Sequence, residues 1–179
     1  MKLRLLPILF LSTLLACSKS DSNPEIDFGE GEGITYRTGT NMPDGPADPT
    51  DWTSDGNWNK QERNLFPELS FDLNGAQQGL VVSGYAYPNP SAGQATWGMQ
   101  ARHNSSGGAT IYTVRAVIVN RKYEVLSRIG PGDFTIDQRY SLDYIQIGMQ
   151  PDEVHRLYYV VYNASGLVYK GHGDVRYSR

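Results

Sequence analysis

One twelve-residue stretch of the chain, residues 51–62, carries side-chain oxygen atoms at intervals that would suit a hard cation. Carboxylate, hydroxyl and amide oxygens recur at alternate positions, a glycine stands sixth and a glutamate stands twelfth. Calcium takes roughly six to eight oxygen ligands, often with one carboxylate binding through both oxygens. The pattern predicts a calcium site whose ligands are Asp51, Thr53, Asp55, Asn57 and Glu62.

This spacing resembles that of the EF-hand loop, in which the glycine permits a sharp turn. The resemblance implies calcium as a cofactor and a short exiting helix at 59–66. An alternative interpretation needs no cation: an Asx-turn loop caps the helix, and both nearby tryptophans pack on the rest of the protein. The helix cap is then Asn57 or Asn59.

Trp52 and Trp58 in the same stretch are candidate ligand-binding residues. If their rings are exposed, they would offer a stacking surface to the sugar rings of a glycan. Aromatic residues also fill the cores of small β-sheet proteins, so burial is the competing interpretation.

Other signs of catalysis or metal binding are weak. The three histidines, His103, His155 and His172, form no close pair along the sequence. No nucleophile-elbow, zinc-protease or phosphate-binding motif is present in the chain. We therefore expect the protein not to be an enzyme.

The beginning of the chain carries a targeting signal. Lys2 and Arg4 precede an apolar run over 5–15, which ends in Leu14-Leu15-Ala16-Cys17. That order of basic, apolar and small residues is typical of a secretory signal. It resembles the bacterial lipoprotein signal, which implies removal of 1–16 and lipidation of the Cys17 thiol. A serine after the cysteine implies an outer-membrane protein, on either the periplasmic face or the cell surface.

Charge and composition constrain the partners. Removing 1–16 takes away two basic residues and no acidic ones, so the formal net charge goes from −3 to −5. The chain shows no Lys/Arg cluster of the kind that binds nucleic acid. Cys17 is the single cysteine, so an internal disulfide is impossible. Residues 17–33, rich in Ser, Asp, Glu and Gly, predict a flexible tether.

Three further regions differ in pattern. Residues 34–67 form a loop-rich segment with several prolines and one short helix. Residues 68–179 alternate between apolar and polar residues at a period of two, with Gly, Pro and Asn clusters between the runs. The predicted strands lie at 68–73, 80–86, 95–101, 112–118, 123–128, 134–136, 145–149, 156–162, 168–170 and 175–177, with 171–174 as a hairpin turn. This pattern predicts an all-β fold, a single antiparallel β-sandwich.

Two local resemblances refine that prediction. Met149-Gln150-Pro151, together with 157–166, resembles the corner and final hairpin of immunoglobulin-like and fibronectin-like domains. Tyr87-Pro88-Asn89-Pro90-Ser91-Ala92-Gly93 resembles the opening of the C-terminal sorting domains of type IX secretion, which are also small β-sandwiches; its simpler interpretation is a tight turn.

The expected function follows from location and from the absence of catalytic motifs. We expect a non-enzymatic outer-membrane lipoprotein that acts as an accessory or binding subunit of a membrane protein assembly, such as a β-barrel, transport or secretion complex. The alternative is a surface lipoprotein that binds carbohydrate through exposed aromatic residues.

Overall fold

The computed structural model of the chain describes residues 24–29, 33–78, 81–102 and 110–179. The predicted signal at 1–16, Cys17 and His103 lie outside these residues. Within the described part, no helix combines the length and the apolar character needed to cross a membrane.

Seven strands and two short helices make up the described fold. In chain order they are α1 (Lys60–Asn64), β1 (Val81–Tyr87), β2 (Gln94–Arg102), β3 (Tyr112–Val119), β4 (Val125–Phe134), β5 (Asp137–Asp143), α2 (Tyr144–Ile147), β6 (Val154–Asn163) and β7 (Gly166–Arg176).

The strands form two antiparallel sheets that pack face to face. One sheet has the order β1-β2-β5, and the other has the order β4-β3-β6-β7. The chain crosses between the sheets after β2, β4 and β5, and its last two strands form the β6–β7 hairpin. This strand order is that of an immunoglobulin-like sandwich. The prediction of a single antiparallel β-sandwich is therefore confirmed.

Alternation along the strands explains the core between the sheets. In β2, Ala95, Trp97, Met99 and Ala101 face inward, as their spacing predicts. Strand β6 is apolar on both faces because one face packs in the core between the sheets and the other packs under residues on the outside of the larger sheet. Its outward residues Tyr158 and Val160 belong to a second apolar cluster, outside the larger sheet.

Because of this second cluster, the prediction that all of 17–33 is a flexible tether is wrong for residues 24–29. Ile26 and Phe28 are buried in the cluster, and the Ile26 backbone N–H donates to the Arg121 carbonyl at 2.7 Å. Two apolar residues in an otherwise polar tract are enough to hold 24–29 against the outer face of the larger sheet. We call this end of the sandwich, with the β3–β4 turn and α2, the Ile26 end. The opposite end, with the β6–β7 turn, is the hairpin end.

Four predictions of local structure are corrected. Residues 68–73 form no strand; Leu73 instead lies buried in the second cluster, where burial alone accounts for the alternation. The predicted strand at 145–149 is largely the short helix α2, with Asp143 as its N-cap. Strand β5 is missing from the predicted set, and 171–174 is no turn, since β7 runs through it unbroken.

The predicted helix in the 34–67 segment is confirmed, although it is shorter than 59–66. Asn59 is the N-cap of α1: its side chain accepts from the Glu62 backbone N–H at 3.0 Å. The Glu62 side chain accepts in return from the Asn59 N–H at 2.7 Å, which completes a capping box.

The 34–67 segment packs on the sandwich along the free edge of β7. The Trp52 backbone N–H donates to the His172 carbonyl at 2.9 Å, and the Asp55 N–H donates to the Lys170 carbonyl at 3.0 Å. Two glycines of β7 make this approach possible. A Cβ at Gly171 would stand 2.4 Å from the Thr53 carbonyl oxygen, and one at Gly173 would stand 2.3 Å from the Trp52 ring. The two glycines of Gly171-His172-Gly173 therefore leave the space in which the 34–67 segment packs against β7.

We predict that Gly173→Ala destabilises the protein by about 1–3 kcal/mol, because the new methyl group must displace the buried Trp52 ring. Urea unfolding followed by circular dichroism measures the change. Gly56→Ala is the matched control, since a Cβ at Gly56 meets no atom within 4 Å. Equal midpoints for the two variants would show that Gly173 is not needed to seat Trp52.

Candidate functional site

The predicted ligand residues of the 51–62 stretch lie where the 34–67 segment meets β7. Asp51 is buried, and its two carboxylate oxygens accept backbone N–H groups from Thr35, at 2.9 Å, and from Asp174. Thr35 belongs to the segment and Asp174 belongs to β7, so Asp51 ties the two together.

The pKa of Asp51 is raised from its ordinary value of 3.8 to about 7. Burial is the largest cause, since it disfavours the charged form, and the nearby carboxylate of Asp174 adds to it. The two backbone N–H donors act in the opposite direction but do not restore the ordinary value.

Asp174 forms a buried ion pair with Arg156 across the β6–β7 hairpin. The guanidinium Nε and Nη2 donate to the two carboxylate oxygens at 2.7 and 2.6 Å, a bidentate geometry. Burial raises the pKa of Asp174 although Arg156 opposes that rise. Burial would lower the pKa of Arg156, but the ion pair outweighs it and raises the pKa.

Asp55 forms the second polar contact with β7. The His172 Nδ1 donates to its Oδ1 at 2.8 Å, and the Trp58 indole N–H donates to its Oδ2 at 2.7 Å. Burial is the largest single influence and would lower the pKa of His172, but the hydrogen bond to Asp55 and the negative charge of Asp55 together outweigh it and raise the pKa. A carboxylate that orients an imidazole is also a component of acid–base sites. The two hydroxyl groups of the same loop are engaged elsewhere: the Thr53 hydroxyl donates to the Thr50 carbonyl, and the Ser54 hydroxyl donates to the Gln77 side chain.

The predicted calcium ligands do not converge. Asp51 and Asp55 accept hydrogen bonds from different parts of β7, Thr53 and Asn57 are exposed, and Glu62 completes the capping box and accepts from the Tyr158 hydroxyl at 3.1 Å. Among the described residues, no group of three or more His, Cys, Asp or Glu side chains could hold a metal ion. The spacing of oxygen atoms along 51–62 therefore does not determine where these side chains lie. Contacts with β7 fix the positions of Asp51 and Asp55.

Trp52 and Trp58 are not surface residues. Their exposed fractions are 5% and 3%, so neither ring offers a face to a glycan. Trp52 fills the side of the sandwich between β1 and β7, where it meets Tyr85 with 6.4 Å between ring centroids. Trp58 stacks on Phe66 at 5.6 Å in the second cluster. The interpretation in which both rings pack beside a capped helix is confirmed.

Sequence reasoning missed the charged residues of β6 and β7. Arg156, Lys170 and Asp174 sit within otherwise apolar strands, and Lys170 is 1% exposed. Its ammonium group donates to the Leu73 carbonyl at 2.7 Å and to the Asn74 Oδ1 at 2.8 Å. Charges inside an apolar run were the available signal, since such residues are rarely buried without a partner.

The two sides of the sandwich differ. The outer edge of β7 is covered: besides Trp52 and Asp55, Gln78 and Ser91 donate backbone hydrogen bonds to it. On the opposite side, β4 and β5 each pair with one strand only in the described structure. Between them runs a groove whose apolar residues are Leu126, Ile129, Leu142 and Ile147. Ile145, which precedes the groove residues Gln146 and Ile147 in α2, is 67% exposed.

Comparison with known proteins adds no assignment. No protein-family profile matches the chain, and no curated protein is significantly similar to it.

We predict that Asp51→Asn flattens the pH dependence of stability. The raised pKa of Asp51 means that the folded protein keeps a proton which the unfolded chain loses above about pH 4. This contribution is complete below pH 4 and is lost as the pH rises through 7. Between pH 5 and 7, wild type should lose up to about 1.4 kcal/mol more per pH unit than the variant.

Urea unfolding at several pH values measures this difference. The exposed Asp44→Asn change is the control and should reproduce the wild-type slope. Parallel curves for wild type and Asp51→Asn would contradict the prediction.

Proposed function

We propose that this protein is a non-enzymatic, lipid-anchored accessory subunit of an outer-membrane protein assembly. The observation that supports it best is the asymmetry of the sandwich: the 34–67 segment covers the edge of β7, whereas no described segment pairs with the outer edges of β4 and β5. Exposed sheet edges are usually covered or blocked, because their free N–H and C=O groups pair with other chains. The proposed occupant is an extended segment of a protein partner.

The open side has the features of a strand-addition site over half of its length. Pro131 removes one backbone donor from the far half of β4, so the free edge is Val125 to Ile129. Apolar side chains line the groove beside it, and Val125 is 42% exposed. Main-chain hydrogen bonds would supply affinity, and the apolar groove would select side chains of the partner.

The likeness of the first 17 residues to a lipoprotein signal supports a partner in the membrane. Ile26 is nine residues after Cys17, and an extended chain of that length spans at most about 30 Å. A lipid on Cys17 would therefore keep the Ile26 end near the bilayer. Ile145 lies at this same end, where the extramembrane part of a membrane protein is within reach.

We predict that Cys17→Ser moves the protein from the outer-membrane fraction to the soluble fraction, because the substitution removes the thiol that would carry the lipid. Membrane fractionation and immunoblotting measure the shift, and the intact mass of the wild-type protein should include the acyl chains. Membrane retention of Cys17→Ser would contradict the lipid anchor.

We predict that a photo-crosslinking residue at Ser127 or Gln146, both beside the open groove, captures one membrane protein in intact cells. The same residue at Ser165, at the hairpin end, should not. Ile145→Glu should abolish capture, because it places a charge on the exposed apolar side chain next to the groove residue Gln146. Ile136→Glu is the matched control, since Ile136 is 61% exposed at the other end of β5. Capture at Ser165 alone, or no capture, would overturn the partner proposal.

A further inference from the structure

The outward face of the β1-β2-β5 sheet contains a shallow depression centred on a glycine. Tyr85, Gly98 and Arg139 lie side by side across the three strands in continuous register. The residues that form the depression include Tyr85, Tyr87, Gly98, Gln100, Asp137 and Arg139. This face points away from the core between the sheets, although Tyr85 at its edge packs against that core. Asp137 and Arg139 belong to the first half of β5, whereas the β4–β5 groove is lined by the end of that strand at Leu142.

Gly98 differs from Gly84, Gly171 and Gly173, which also lie inside strands. Gly171 and Gly173 seat the 34–67 segment, and Gly84 faces Met99 and Trp97 in the core. At Gly98 the strand has no bulge, and a Cβ would meet only the Tyr87 phenol, at 3.3 Å from Cε1 and 3.4 Å from the hydroxyl oxygen. A glycine inside a strand weakens it and often marks the close approach of a ligand. Gly98 lets the Tyr87 ring lie low across the sheet.

The wall of the depression is held in place. The Arg37 guanidinium carbon lies 3.5 Å from the Tyr85 ring centroid, and its Nη1 donates to the Asn41 carbonyl at 3.0 Å. Asn41 is also part of the rim and has a left-handed backbone, with φ at 64°. Its buried Oδ1 has no hydrogen-bond partner among the described residues. Buried polar atoms normally have a partner in protein, water or ligand.

The chemistry of the lining selects the ligand. The half-buried ring of Tyr87 suits the apolar C–H face of a sugar, and the Tyr87 hydroxyl can form a hydrogen bond with a hydroxyl at the rim of the sugar. Gln100 supplies an amide, and Asp137 and Arg139 supply an acceptor and a fork of donors. These two opposite charges disfavour a phosphate or another strongly charged ligand. We propose that this depression binds a pyranose unit of a neutral glycan.

The test uses the full lipidated protein in lipid nanodiscs with neutral hexasaccharides of glucose, xylose and N-acetylglucosamine as probes. Saturation-transfer difference NMR and calorimetry measure binding. At least one probe should bind saturably, and Tyr87→Ala should weaken binding at least tenfold. Gln100→Ala should also weaken it severalfold, and Gln100 is exposed, so this variant does not disturb the core.

Tyr162→Ala is the matched control. Tyr162 is also a partly exposed tyrosine, but it lies on the larger sheet beside Phe71. Unchanged affinity in this variant, with loss in Tyr87→Ala and Gln100→Ala, supports the site. Binding of none of the probes, binding of an oligouronate instead, or equal loss in Tyr162→Ala would overturn it. The site needs neither the lipid nor the protein partner, so its failure leaves the crosslinking result unaffected.

Discussion

The contact between the Trp52 indole and the bare backbone of Gly173 is the constraint on which much of the structure depends. Trp52 has a left-handed backbone, with φ at 59°, a conformation that a bulky residue adopts only when its surroundings enforce it. Its backbone N–H pairs with β7 and its ring fills the side of the sandwich between β1 and β7. This placement brings Asp51 to the Asp174 backbone and Asp55 to His172. Loss of the contact would uncover the edge of β7 and remove the hydrogen bonds of Asp51 to the Asp174 N–H and of Asp55 to His172.

The fold could be predicted from the sequence where burial and strand pairing coincide. In β2, β3 and β6 the apolar residues alternate because one face meets the opposite sheet, and the sequence records that directly. Residues 68–73 alternate between apolar and polar side chains although they form no strand. The alternation arises because Leu73 packs on the outside of the larger sheet. The opposite failure is β5, an edge strand whose outward residues Asp137 and Arg139 hide it among polar loops. Period-two patterns report which residues are buried, but they do not report hydrogen-bonded partners.

The candidate site shows the same limit at the level of chemistry. The pattern of 51–62 predicts oxygen ligands for calcium and a capped helix after them, and the structure confirms the capped helix. What its carboxylates contact is determined by residues more than a hundred positions away, since Asp51 binds the Asp174 N–H across 123 residues. The same holds for glycine. Gly171 and Gly173 flank a histidine in a way that is typical of turns, yet they keep β7 flat enough for another segment to lie against it. Spacing along a chain specifies a site only when the ligands come from one local loop.

The asymmetry between the two sides of the sandwich bears on function because covering an edge requires ordered chain. Ordering a residue costs about 1–2 kcal/mol of conformational entropy. Ordering the 34–67 segment therefore destabilises the folded state unless burial of Trp52, Trp58 and the leucines near them offsets that cost. A chain that closes one edge in this way and leaves the other with exposed Val125 and Ile145 has the same aggregation problem on the open side. Pro131 blocks only the far half of that side. The proposed protein partner would cover the remaining half, from Val125 to Ile129, and would remove this exposed edge.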